Sequence, residues 1–278
     1  SECGFLGSRY KPFSTGGDPN REPFAVEGIV SETVSEERQH NRKSFLRELD
    51  SFARDMLEDP IVKVITSCQE QAYSMILGEA RKAFMLGEVA AEKRDLYGRN
   101  TFGQSCLLAA RLVQQGVPFV TINYRGWDTH KKHFEAMNQK LPELDKGLSA
   151  LLLDLSSSGL LDSTIVWWGG EFGRTPKVQW EDPWYGGRGH YAKAFSTLVA
   201  GGGFKGGTVV GKTDETGENV IERPIYPWDL ISSFYELLGL DKNAKIKNPQ
   251  GTEVFVDPFT AGVISPKETG GVLKEIML

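Results

Sequence analysis

Residues 117–168 read VPFVTINYRGWDTHKKHFEAMNQKLPELDKGLSALLLDLSSSGLLDSTIVWW, and the order of apolar residues in this stretch decides the predicted fold. Val117–Tyr124 is short and rich in β-branched and aromatic residues, which is typical of a buried strand. Leucines then recur at helical spacing from about residue 131 to 158, and Ser163–Trp168 is the next predicted strand. Strand, long helix and strand in this order predict an α/β fold with a mostly parallel sheet flanked by helices.

The segments on either side extend this pattern. Residues 1–30 contain several prolines and glycines, which predict an irregular arm. Three helices are predicted before the central stretch, over about 35–58, 60–86 and 102–115. Further elements are predicted after it: strands at 195–200 and 254–256 and a helix at 226–238. We therefore divide the chain into residues 1–115, an arm plus helices that pack on the core, and residues 116–278, an α/β core with the candidate metal site.

The composition excludes several classes of protein. Apolar residues make up 40% and charged residues 25%, an ordinary globular balance that argues against disorder. The net charge is −5, whereas nucleic-acid binders usually carry a basic surplus, so we expect no nucleic-acid partner. Cys3, Cys68 and Cys106 are far apart and predict neither a disulfide framework nor a thiolate metal site. We expect no membrane span, because no apolar run approaches the ~18–20 residues that one needs.

An aspartate and a histidine, Asp128 and His130, follow the first predicted strand. In an extended chain they point to the same side, at the strand end where α/β sheets bind ligands. A carboxylate and an imidazole suit Zn²⁺ or another divalent metal. Two alternatives stay open: Asp128 orients His130 through a hydrogen bond, or it caps the following helix. We expect the neighbouring His133 to be exposed.

The second predicted strand ends in GGEFGRTP, residues 169–176. Glycines on both sides of Glu171 let the backbone approach a ligand, and Arg174 can hold an anion with two hydrogen bonds. The alternative is a tight turn with a surface salt bridge. A third loop carries His190 between glycine-rich sequence and the next predicted strand, and we interpret it as a ligand rather than a core histidine. His40, on a polar helix face, is expected to be solvated.

Two apparent nucleotide-binding patterns lie in the glycine-rich stretch 201–213. They match a dinucleotide fingerprint and a phosphate-binding loop. Both mechanisms require a helix directly after the glycines, so that its amino terminus faces a phosphate. The sequence continues with DETGEN (214–219), which is typical of turns. A glycine-rich hairpin or loop is the better interpretation.

Several motifs occur in one order along the chain. They are GFLGSRYKPF (4–13), FGQSCLLAARLVQQGVPFVTIN (102–123), WDTH (127–130), GEFGRTP (170–176), GRGH (187–190), AGGGFKGGTVVGKTD (200–214) and RPIYPWDLISSFYELLGL (223–240). Together they closely resemble the bacterial family catalogued as domain of unknown function 1501. That family is similar to the alkaline-phosphatase-like superfamily, which includes phosphatases, sulfatases and phosphoglycerate mutases. The resemblance implies a periplasmic or exported protein.

The superfamily resemblance also implies a two-metal site. Asp128 and His130 match its Asp/His ligand pair, while Glu171 and His190 match further ligands; Phe172 stands where the superfamily has a histidine. The metal that the resemblance implies is a divalent ion: Zn, Mn, Mg or Ca. Arg174 or Arg188 would hold the anion, and Thr175 is the nearest hydroxyl, so Arg174 and Thr175 are the candidate catalytic residues. The Pro227–Asp229 segment resembles a structural part of sulfatases and receives no catalytic role.

Family members usually carry a further amino-terminal portion, whose first strand supplies a metal ligand and the nucleophile. We therefore expect the chain to correspond to the C-terminal two-thirds of a member. Two functions are consistent with these observations. The first is a metal-dependent hydrolase of phosphate or sulfate esters, acting on a small-molecule or carbohydrate ester. The second is a non-catalytic binding or structural module with a degenerate metal site, in which Trp180, Trp184 and Tyr185 contact a carbohydrate or protein partner.

Overall fold

The computed structural model describes residues 11–24, 26, 29, 34–49, 59–247, 250–257, 262, 264–265 and 268–278. The chain forms two compact units. One unit includes Arg125–Leu141 and Leu152–Leu278, and the other consists of Ser14–Tyr124 and Pro142–Leu151. The division into 1–115 and 116–278 stays a prediction.

The unit that contains residues 14–124 is built from helices. Among the described residues between 14 and 124 the α-helices are α1 (Glu36–Leu49), α2 (Pro60–Leu77), α3 (Ala91–Tyr97) and α4 (Thr101–Gln114), and short 3₁₀ helices cover Glu79–Phe84 and Leu86–Glu88. Asn100 caps α4, because its side chain accepts a hydrogen bond of 2.8 Å from the Gly103 amide. Phe102, Cys106 and Ala110 recur at helical spacing and are buried, so α4 supplies one face of the core.

The predicted helices of this unit are formed, with shifted ends. Helix α1 confirms the described part of the prediction over 35–58, whose remainder, 50–58, lies outside the described residues. Helix α3 was not predicted, because it is short and rich in charge. The predicted strand Val117–Tyr124 is wrong: the segment lies in no strand, and Phe119 is 84% exposed. Its β-branched and aromatic residues suit a pleated surface, but no described strand pairs with it.

The described residues of the other unit form two α-helices, short strands and two 3₁₀ helices, Leu161–Ser163 and Lys274–Ile276. Helix α5 (His133–Ser157) is the long helix predicted from the sequence. Its residues 142–151 belong to the unit that contains residues 14–124. The helix ends shortly before Gly159, whose φ is +71°. Helix α6 (Pro227–Leu237) follows later. Strands β1 (Val166–Trp168), β4 (Leu198–Ala200) and β8 (Glu253–Phe255) form at three of the predicted positions. The other described strands are β2 (Gly173–Arg174), β3 (His190–Tyr191), β5 (Lys212–Thr213), β6 (Val220–Glu222) and β7 (Lys245–Lys247).

The strands of the described residues pair as four antiparallel ladders. These are β1 with β4, β2 with β3, β5 with β6, and β7 with β8. In the first ladder Val166 pairs with Ala200 and Trp168 with Leu198. No parallel pair occurs within this part of the chain, and the mostly parallel sheet stays a prediction. The glycine-rich stretch 201–213 leads through turns into β5 and not into a helix, in agreement with its interpretation as a loop.

A hydrophobic cluster lies between α6 and the end of the chain. Phe204, Leu230, Phe234, Leu273 and Ile276 are buried together. Asp229 is fully buried beside them and accepts hydrogen bonds from the Tyr226, Gly270 and Gly271 amides and from the Thr269 hydroxyl. The Asp229 carboxylate thus joins the start of α6 to the terminal segment through hydrogen bonds. This contact gives the Pro227–Asp229 motif a structural role. Over the residues the structure describes, no helix is both long and apolar enough to cross a bilayer.

Candidate metal centre

Three loops bring the candidate site residues together. Asp128 and His130 lie in the loop before α5, Glu171 lies in the turn before β2, and His190 begins β3. The β2–β3 ladder places Arg174 directly opposite His190. Local strand pairing therefore joins the second and third predicted site segments, although both strands are only two residues long.

Asp128, His130 and His190 form a close cluster of potential metal ligands. His190 Nε2 lies 2.8 Å from Asp128 Oδ1, and His130 Nε2 lies 3.1 Å from the same oxygen. The two Nε2 atoms are 3.2 Å apart. Three potential ligand atoms thus form a small triangle at a partly exposed surface. Glu171, the fourth predicted ligand, is not a member of this cluster.

The dimensions of the triangle are suitable for a metal ion. Two donors bound tetrahedrally to Zn²⁺ at about 2.0–2.1 Å are roughly 3.3 Å apart. The separations within the cluster are shorter than this value by a few tenths of an ångström at most, with the largest difference between Asp128 and His190. One carboxylate and two imidazoles are also a donor set that Zn²⁺ accepts, and three protein ligands leave a coordination position for water or substrate. The residues therefore fit a divalent metal in both chemistry and spacing.

Backbone contacts hold the His130 loop against the loop that precedes His190. The amides of Lys132 and His133 donate to the carbonyls of Trp184 and Gly186, and the Arg188 amide donates to the Thr129 carbonyl. Gly187 touches the His130 carbonyl so closely that a Cβ there would lie 1.8 Å from its oxygen. Glycine at this position therefore allows the approach of the two ligand-bearing loops.

The surroundings of Asp128 favour its ionised form. The hydrogen bond from His190 is the largest cause that lowers the pKa of this carboxyl below its ordinary value, and the charges of His130, His190 and Arg174 act in the same direction. Partial desolvation opposes them. The carboxylate is consequently in the ligand form at neutral pH.

Arg174 links the cluster to Glu171. Its Nη2 lies 3.1 Å from Glu171 Oε1 and 3.8 Å from Asp128 Oδ1, while its Nε donates to the Trp127 carbonyl at 3.2 Å. The side chain is only 14% exposed. A backbone hydrogen bond and the hydrogen bond from Arg174 lower the pKa of Glu171. The guanidinium thus holds the Asp128 loop and Glu171 in place.

The other hydroxyls and histidines near the cluster are bonded within the loops. The Thr175 hydroxyl donates to the Lys177 carbonyl and accepts from the Gly189 amide, both at 3.0 Å. Thr129, between the two ligands of the first loop, is buried, and its Oγ1 lies 2.6 Å from His133 Nδ1. His133 is half-buried, so its expected exposure was wrong. Burial first, and then the charges of Arg188 and Arg174, lower the pKa of His133. His40 is exposed as predicted.

Aromatic residues surround the cluster. Phe172 packs on the His190 ring with centroids 4.4 Å apart. Phe134 stacks on Trp180 with centroids 5.7 Å apart and an interplanar angle of 7°. The sequence analysis did not identify Phe134, and the available signal was its place in the first turn of the helix that follows the Asp128 loop. Trp180 and Tyr185 are exposed as expected, whereas Trp184 is half-buried.

Comparison with protein-family models identifies the family of this chain. The model of the family described as "Protein of unknown function (DUF1501)" matches residues 1–264. The chain belongs to this family. The match spans the Asp128, Glu171 and His190 loops, so the candidate metal centre lies within the family's own segment. Neither the comparison with curated proteins nor the comparison with solved structures found a match.

Proposed function

We propose that this family member is a metal-dependent hydrolase of phosphate or sulfate esters. The observation that carries the proposal is the convergence of Asp128 Oδ1, His130 Nε2 and His190 Nε2, each within 3.2 Å of the other two. A bound divalent metal supplies Lewis-acid polarisation of the ester oxygen and a lowered pKa for bound water. Two imidazoles and one carboxylate are ligands for Zn²⁺ and for several other divalent ions, so the identity of the metal is left to experiment.

The chain's own residues have separate roles in this proposal. Asp128, His130 and His190 hold the metal, and Arg174 keeps the Asp128 loop in position through the Trp127 carbonyl. The donors of Arg174 are already engaged with the Trp127 and Gly173 carbonyls and with Glu171. Arg188 is therefore the better candidate to hold the ester anion, because its buried Nε has no hydrogen-bond partner within the described residues. Thr175 holds the loop before β3 and does not serve as the nucleophile.

The superfamily assignment belongs to the same proposal. An alkaline-phosphatase-like arrangement, with a mostly parallel sheet and a second metal, is supported by the order of the motifs around Asp128, Glu171 and His190. The Arg174 guanidinium lies between Glu171 and Asp128, at 3.1 Å from Glu171 Oε1 and 3.8 Å from Asp128 Oδ1. In this proposal Glu171 is the carboxylate that binds a second ion. Phe172 offers no ligand atom, so such a second site would be poorer in imidazole than its superfamily counterpart.

A second candidate function is a binding module with a degenerate site. The exposed rings of Trp180 and Tyr185 favour it, as does the replacement of a superfamily histidine by Phe172. Under this alternative the cluster is structural and no ester is hydrolysed.

Turnover of p-nitrophenyl phosphate and p-nitrophenyl sulfate distinguishes the two functions. We expect metal-loaded protein to hydrolyse one of the esters, EDTA to abolish the activity, and His190→Ala to lower it at least ~100-fold. His40→Ala is the matched control, because His40 is an exposed histidine of α1. Equal rates for both variants and the wild type, or no turnover with any divalent metal, would contradict hydrolysis and favour the binding module.

A further inference from the structure

An exposed aromatic surface lies beside the candidate metal centre. We call the stacked rings of Phe134 and Trp180 the aromatic platform. Trp180 is 66% exposed and Phe134 45%, although the two rings cover one another's inner faces. Large aromatic rings in water carry a cost that packing normally removes, and exposed apolar patches with a polar rim mark binding sites.

The backbone around the platform is held in costly conformations. Tyr185 has φ +44° and Lys132 has φ +50°, and they are two of the three non-glycine residues with positive φ in the described part of the chain. Lys132 directly precedes α5, which carries Phe134, and Tyr185 lies on the same loop as Trp180. Strain of this kind persists where the surrounding structure imposes it, and it is concentrated at functional sites.

The platform and the metal centre share one loop. Gly186 lies against the platform: a Cβ there would be 3.0 Å from the Trp180 ring and 3.6 Å from the Phe134 ring. The next residue, Gly187, touches the carbonyl of the ligand His130. On the other side, the His133 ring packs edge-on against Phe134 with centroids 5.4 Å apart. A ligand whose ester group lies at the cluster can therefore extend over the platform.

The chemistry of the platform fits a sugar ring. The carbon-bound hydrogens of a pyranose carry partial positive charge and pack on the negative face of an aromatic ring. The two segments that carry the rings also carry exposed polar groups of the kind that bond sugar hydroxyls: Tyr185 donates to Asp182 at 2.9 Å, and Lys132 pairs with Glu135 at 3.3 Å. Two half-exposed rings offer roughly 200–300 Å² of apolar area, well below the ~800 Å² per partner of a stable protein interface.

We propose that the aromatic platform binds the sugar ring of a phosphorylated or sulfated saccharide whose ester group occupies the candidate metal centre. This inference rests on the proposed function and names its substrate class. The substrate then has two parts. Its ester group lies at the metal cluster, where the reaction occurs, and its sugar ring lies on Trp180 and Phe134, which select a ring with a flat carbon-hydrogen face.

Isothermal titration with unesterified oligosaccharides tests the platform without relying on hydrolysis. The probes are cellohexaose, mannohexaose, laminarihexaose, xylohexaose and chitohexaose, added to the full chain. We expect at least one of them to bind with a Kd below about 1 mM. Trp180→Ala should weaken this binding at least tenfold, and Trp180→Leu, which keeps apolar volume without a flat ring, should weaken it similarly. Trp180→Phe should retain most of it. Phe119→Ala is the control, because Phe119 is an exposed aromatic outside the platform.

The two proposals fail differently in this experiment. Neutral-sugar binding should be the same before and after EDTA removes the metal, which keeps the two readouts separate. Absence of binding by all five probes, or equal binding by wild type, Trp180→Ala and Trp180→Leu, would overturn the platform and leave the metal centre standing. Sugar binding that depends on Trp180, in a protein that holds no metal, would overturn the ester substrate and assign the chain to the binding module.

Discussion

His190 donates a hydrogen bond of 2.8 Å through its Nε2 to Asp128 Oδ1, although the two residues lie 62 positions apart in the chain. The contact joins the loop before α5 to the start of β3. His130 Nε2 approaches the same Asp128 oxygen at 3.1 Å, so all three potential ligand atoms meet at this point.

The ionisation of Asp128 should depend on His190. Its carboxyl pKa should lie below the ordinary 3.8 in the wild type and rise in His190→Ala, because the His190 hydrogen bond is the largest cause of the lowering. A depressed native pKa contributes stability above the unfolded pKa, and this contribution is lost as the pH falls through the native value. NMR titration of the side-chain carboxyl carbons in metal-free protein measures the pKa of Asp128. A wild-type value at or above 3.8 would contradict the assignment.

Arg174→Lys should weaken metal binding although Arg174 is not a ligand. Lysine keeps the charge but cannot span the Trp127 carbonyl and Glu171 together, so the Asp128 loop loses its anchor. We expect a loss of roughly 10- to 100-fold in metal affinity, the size found for residues that orient ligands. Competition titration with a zinc indicator measures this loss.

Arg99→Lys provides the control for this substitution. Arg99 pairs with Asp95 at the surface of the helical unit and lies outside the cluster. Its replacement should leave zinc affinity unchanged. If Arg174→Lys binds zinc as tightly as Arg99→Lys with both variants folded, Arg174 does not position the ligands.

Asp229→Ala should destabilise the unit that contains α6. The buried carboxylate accepts four hydrogen bonds, and its removal takes the acceptor from the Tyr226, Gly270 and Gly271 amides and from the Thr269 hydroxyl. We expect a loss of about 3–5 kcal/mol in the free energy of unfolding. The exposed Asp241 bonds the Asn243 amide in a turn, and Asp241→Ala should cost less than about 1 kcal/mol. Urea denaturation of both variants measures the difference. Equal midpoints for Asp229→Ala and Asp241→Ala would refute the structural role of Asp229.

Cys106 should resist alkylation in the folded protein. Burial raises its pKa to about 12, so almost no thiolate exists at pH 8 and the sulfur is also shielded from reagent. Cys68 is exposed and should react. Site-resolved mass spectrometry after iodoacetamide treatment, with and without guanidinium chloride, measures both thiols. Fast native labelling of Cys106 would contradict the packing of α4.

The site residues could be predicted from residue type and position, but their contacts could not. Asp128, His130 and His190 are metal-compatible residues in loops next to apolar segments, and these features are visible in the sequence. The pairing of Arg174 with His190 and the contact of Gly187 with His130 depend on loop conformations that local patterns do not encode. The sequence therefore groups Glu171 with the ligands, whereas in the structure Glu171 pairs with Arg174 and lies outside the cluster.

The secondary structure shows the same division. Helices α4 and α5 follow from the spacing of apolar residues, because burial of one face is a local pattern. The segment Val117–Tyr124 has strong β-propensity and yet forms no strand, since propensity reports how side chains fit a sheet and not whether a partner strand is present. Pairing partners are distant in the chain, and they decide which apolar segments become strands.

Metal content of the purified chain tests the central claim most directly. After incubation with Zn²⁺, Mn²⁺, Mg²⁺ or Ca²⁺ and removal of excess ion, elemental mass spectrometry should find at least about one equivalent of one metal in the wild type and in His40→Ala. Asp128→Ala, His130→Ala and His190→Ala should each retain little of it. Metal held equally by all five proteins, or by none of them, would contradict a metal centre formed by Asp128, His130 and His190.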